Sequence, residues 1–131
     1  GLCVASGLAM SARAEVGHVV TSESGRTQKD YQEGLRDLHL GKLPNAWKEF
    51  SSAVKREPGF SMGHWGLSRT LHRQGRAAEA LAAAARAEET CATADDREQR
   101  LIRAWHRFLK AQSLGETEKK RELDGVRRDL D

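Results

Sequence analysis

Apolar residues recur through the middle of the chain with the period of an amphipathic helix. Between Thr27 and Leu40, Tyr31, Leu35 and Leu38 fall at i, i+4 and i+7, which predicts a helix that Gly41 ends. Beyond that turn Pro44 suits a first helical turn, and Ala46, Trp47, Phe50, Ala53 and Val54 form a second stripe that runs until Pro58. Ser61 reads as the N-cap of a third segment built on Trp65, Leu67, Ser68 and Leu71 and closed by Gly75. Residues 77 to 87 are almost wholly alanine and leucine on their inner side, giving high helix propensity and a flat face that another helix can approach closely. Thr93 with Asp96 three residues on makes a capping-box-like start, and Leu101, Ile102, Trp105, Phe108 and Leu109 form a strong helical stripe up to Gly115. A last helix is expected over Glu118 to Leu130, where Leu123, Val126 and Leu130 are the apolar positions.

The first four stripes pair off at a fixed distance. Tyr31 and Trp65, Gly41 and Gly75, Ala46 and Ala80, and Ala53 and Ala87 are each 34 residues apart, the period of a helix-turn-helix repeat that stacks into a solenoid. Small residues at matching places predict where helices touch, with Gly34 against Ala46 and Ser68 against Ala80. Trp105 and Gly115 lie 40 residues after Trp65 and Gly75, so a third, degenerate unit is expected with about six residues added before its landmarks. Solenoid repeats bury their apolar faces only against neighbours, and about three units make a stable array.

Residues 27 to 94 resemble the tetratricopeptide repeat family. Gly34, Gly41, Ala46, Phe50, Ala53 and Pro58 follow its order of small, glycine, alanine, aromatic, alanine and proline positions; in the second unit Leu67, Ser68, Leu71, Gly75, Ala80 and Ala87 fit, while Ala84 stands for the large residue and Ala92 for the closing proline. Pro58 to Leu67 and Asp95 to Ile102 look like a bacterial branch often found in exported proteins. The resemblance implies an all-α fold, a right-handed superhelical array of antiparallel helix hairpins with two clear repeats (27–60 and 61–94) and the degenerate third (95–131). It further implies a concave groove lined by the first helices, here Tyr31, Leu35, Leu38, His39, Trp65, Arg69, His72 and Arg73. Trp65 fits either the core or a partner. The lysines and asparagines with which some members clamp chaperone tails are absent, since Tyr31, Leu35 and Gly66 stand at three of those sites.

The amino-terminal end changes the picture. Leu2 to Met10 is small and apolar and is followed by Ala12-Arg13-Ala14, the form of a leader-peptidase site, so residues 1–14 read as a signal-peptide remnant, the other reading being a disordered or loosely helical terminus. The first reading makes the product exported, periplasmic or secreted, and the second leaves it cytoplasmic. Residues 15–26 mix Val19, Val20 and Thr21 with serine and glycine without a sustained period and read as a flexible linker to a helical domain over 27–131. No apolar run reaches the roughly 18 residues of a membrane span.

Composition adds exclusions. The chain has 131 residues, 38% apolar and 31% charged, which suits a single-layer helical array, and its net charge of +3 is spread in alternating signs. Arg100, Arg103, Arg107 and Lys110 make one positive helix face, for which the solvated face of a packed helix outweighs a phosphate-binding surface. Cys3 and Cys91 form no disulfide framework or zinc spacing, and the histidines (His18, His39, His64, His72 and His106) belong to no metal-binding or catalytic cluster. No nucleophile elbow or phosphate loop is present, so neither enzyme chemistry, cofactor nor metal is expected. The expectation is a scaffold that binds another protein or peptide in its groove. The alternative is a regulatory or docking segment of a larger enzyme or regulator.

Overall fold

The computed structural model describes residues 20–130, with side chains described as far as Gly125. Among them are five α-helices and no strand: α1 (Gly25–His39), α2 (Leu43–Arg56), α3 (Ser61–Arg73), α4 (Ala77–Glu89) and α5 (Asp96–Leu130), with a 3-10 turn at Cys91–Thr93. The expected all-α class is therefore present. The signal-peptide reading of residues 1–14 lies outside the described residues, as does the first part of the linker.

The linker's last residues depart from the expectation of a flexible segment. Val20 is buried in the core, the Thr21 amide donates to Glu98 Oε2 at 2.9 Å, and Ser22 Oγ donates to Glu57 Oε1 at 2.8 Å. Ser24 then caps α1 by accepting from the Thr27 amide at 3.4 Å, so the helix starts two residues earlier than the Thr27 expected from the sequence. Val20 stands between Val19 and Thr21 in a stretch without helical period, yet it has a buried site waiting, and periodicity does not reveal such a single anchor.

The two glycine turns are built alike. Gly41 and Gly75 have φ of 77° and 78°, the left-handed conformation that lets a helix end without a Cβ clash. The Lys42 amide donates to the Asp37 carbonyl at 2.8 Å and that of Gly41 to Leu38 at 3.1 Å; Arg76 to Leu71 at 3.0 Å and Gly75 to His72 at 3.1 Å repeat the pattern. Both are Schellman motifs, which satisfy the last carbonyls of α1 and α3 and fold the chain back. Each helix consequently packs on the next, and α3 also meets α1 and α5.

Close packing depends on the small residues, and a large ring is fitted among them. Ala46, Ala53, Ala80 and Ala87 are all fully buried. Gly34, however, makes room for the Phe50 ring: a Cβ there would lie 2.8 Å from it, and one on Gly66 closer still. The ring of α2 is thus wedged between glycines of α1 and α3. Ser68 does meet Ala80 as expected, donating to its carbonyl at 2.6 Å. Where Phe50 fills the first unit, Ala84 leaves room in the second, and Trp105 of α5 packs against that cluster. Its indole Nε1 donates to Ser68 Oγ at 2.8 Å.

The third unit is not a hairpin. α5 runs unbroken through Gly115 for 35 residues, in place of the two helices expected on either side of that glycine. The reason is local. A glycine inside a helix costs about 1 kcal/mol, and Gly41 and Gly75 lead into segments whose alanines bury against the preceding helix, whereas the residues after Gly115 have no small-residue face to reward a reversal. The start of α5 is also shifted: the capping box pairs Asp95 with Glu98, the Glu98 amide donating to Asp95 Oδ1 at 2.8 Å and the Asp95 amide to Glu98 Oε1 at 3.3 Å, rather than Thr93 with Asp96.

Candidate partner-binding cleft

Helical spacing places Gln32, Leu35, Arg36 and His39 along one side of α1, and Arg69 and Arg73 one turn apart on α3. Together with Leu38 they line an open cleft of about 550 Å³. Arg73 Nη1 donates to the Leu38 carbonyl near the end of α1, where a cation also meets the negative end of the helix dipole.

Arg69 links this cleft to a second one. Its guanidinium lies 4.8 Å from the centre of the Trp65 ring, a cation-π contact that holds it upright between the helices. On its other side Trp65, Leu101, Ala104, Trp105 and Phe108 line a shallow slot of about 380 Å³ that is apolar apart from Arg69. Leu101 is 39% and Phe108 47% exposed. The slot is nonetheless well held: Trp105 is fixed by its bond to Ser68, Phe108 lies 5.5 Å from it, and His72 stands edge-on to Trp105 at 5.3 Å.

The eight groove residues expected from the resemblance are divided among several places. Leu35, Leu38, His39, Arg69 and Arg73 gather in the first cleft, with Leu38 buried as its floor, and Trp65 with Arg69 forms the wall of the slot. Tyr31 is only 4% exposed, packed edge-on between Phe50 at 5.8 Å and Phe60 at 5.5 Å, so its ring belongs to the core. Burial pushes its phenol well above the usual range. His72 turns toward α5, where Nε2 meets Gln112 Oε1 at 3.1 Å. The α5 residues of the slot were expected only as a core stripe. Five apolar positions on two adjacent helix ridges are more than one buried face needs, and the structure splits them: Ile102 and Leu109 are buried, Leu101 and Phe108 are not.

The other titratable groups serve the framework. His64 is buried, with Nε2 2.8 Å from the Pro58 carbonyl, and burial holds its pKa below the ordinary value. Burial pushes the Glu49 carboxyl from 4.5 up to about 7, reinforced by a hydrogen bond with Asp37 and by the charges of Asp37 and Glu33. As a carboxylate, Glu49 Oε2 has no hydrogen-bond partner, so that bond to Asp37 exists only with a shared proton. Cys91 is a buried free thiol, and Arg100, Arg103, Arg107 and Lys110 are exposed. Among the described residues no group of histidine, cysteine and acidic side chains could hold a metal ion, and no helix is long and apolar enough to cross a membrane. No family model matches the chain, nor does a curated protein or a solved structure.

Proposed function

We propose that the chain is a tetratricopeptide-like binding module that holds a segment of another protein across α1, α3 and α5 and performs no chemistry of its own. The observation that carries this reading is the slot formed by the half-buried Trp65 and Trp105 and the exposed Leu101 and Phe108, rigidly supported and continuous through Arg69 with the cleft on α1. Exposed aromatics held in place by the fold lose little conformational entropy on binding, and such clusters dominate interface energies. The 34-residue recurrence and the paired Schellman turns support the repeat architecture.

Site-specific photocross-linking tests it. A benzophenone side chain replacing Phe108 is expected to capture a defined partner, and one replacing the exposed Ser52 of α2 is expected not to. Equal capture from both positions would contradict the reading.

A further inference from the structure

We propose that the occupant of this groove is an acidic protein segment, which seats one bulky apolar side chain in the slot between α3 and α5 and sets its carboxylates against Arg36, Arg69 and Arg73. This rests on the reading of the groove as a partner site and names the chemistry of the partner.

The charges argue for it. The chain has 19 acidic residues, yet none lines either the slot or the adjoining cleft. Outside the cleft three arginines pair with acids, Arg56 with Asp30 at 2.7 Å, Arg86 with Glu89 at 3.3 Å, and Arg76 with Glu79. Among the described residues Arg36, Arg69 and Arg73 make no such ion pair, although the charge of Arg36 also acts on Glu49. Two of them are oriented without being neutralised, Arg69 by the Trp65 ring and Arg73 by a neutral carbonyl. Three guanidiniums converging on one cleft repel each other until an anion arrives, and planar guanidinium suits carboxylate in a two-pronged geometry.

The slot decides between kinds of anion. It offers Leu101, Ala104 and Phe108 from α5 and takes its one lining cation, Arg69, from α3, while the exposed Arg100, Arg103, Arg107 and Lys110 of α5 are not among its lining residues. A nucleic-acid strand stacking on these rings would carry phosphates on both sides and call for cations along the whole path. An apolar side chain followed by acidic neighbours fits the one-sided arrangement.

A random-peptide display library selected on the immobilised full chain reads the preference directly. Selected sequences are expected to be rich in Asp and Glu next to a Phe, Leu or Trp. Their binding is expected to fall roughly tenfold in the Arg36→Gln/Arg73→Gln double variant, as two lost surface ion pairs would give, and to weaken as salt is raised. Because Arg73 also bonds the α1 terminus, Arg36→Gln alone, at an exposed position, must weaken binding in the same direction. Neutral or basic selected peptides that still lose binding in Phe108→Ala would overturn the acidic partner and leave the groove standing. Failure to select any peptide, or peptides indifferent to Phe108→Ala, would overturn both. An oligothymidine probe that competes for the slot more strongly than the selected peptides would also overturn the proposal.

Discussion

Phe50 is accommodated because two helices present no Cβ in front of it. Gly34 and Gly66 flank the ring, and the helical backbone allows neither to retreat. Gly66→Ala is expected to destabilise the fold by about 1–3 kcal/mol, the usual cost of overpacking a filled core, read as a lower denaturation midpoint at unchanged slope. Full stability in that variant would mean the ring has room to move. At this scale the sequence is informative about which residues are special and less so about their partners. Gly34 and Ala46 are both small, which suggests mutual contact, but that Gly34 also makes room for the Phe50 ring depends on the direction of that side chain, which is a three-dimensional fact. Ser68 is easier to read: a hydroxyl buried beside a helix needs an acceptor, and the Ala80 carbonyl supplies one.

The helices of the first two units were legible because apolar stripe, turn glycine and alanine face all agree, and α1 to α4 begin and end within about two residues of the predicted points. α5 was misread where a glycine alone was asked to stop a helix. Gln112, Ser113 and Glu116 still face α3 and α4, but beyond them every side chain from Thr117 to Asp124 is exposed. Few tertiary contacts hold such a segment, so limited trypsin digestion is expected to cut first at Lys119, Lys120 or Arg121 and to leave the thermal transition of the remaining body unchanged. A coincident loss of the transition would show that the extension is integral to the fold. The joint between α1 and α2 carries a second expectation. Glu49 holds its proton to about pH 7 when folded and to about 4.5 when unfolded, so the folded state binds more protons between those values and stability falls as pH rises through that window. Glu49→Gln keeps a donor toward Asp37 and removes the charge. It is expected to raise the melting temperature at about pH 8 and to change it little at about pH 4, below both values. The same melting curve in both proteins at the higher pH would refute the shared proton.

For the whole molecule, the strap at Val20 to Ser24 and the slot on α5 are the two features that periodicity could not foretell. The first is a single anchor without a pattern, the second a surplus of apolar residues that looked like core. Both depend on where α5 lies: Glu98 at its start holds Thr21, and Leu101 and Phe108 on its free ridge complete the face that α1 and α3 begin. The proposed binding face is thus a property of the assembled helices rather than of either helix pair. Amide hydrogen exchange of the full chain, free and with a display-selected peptide bound, tests this most directly. The groove account predicts added protection over residues 35–39, 69–73 and 101–108, with α2 and α4 unchanged; protection confined to α2 or α4, or none at the α5 slot, would contradict it.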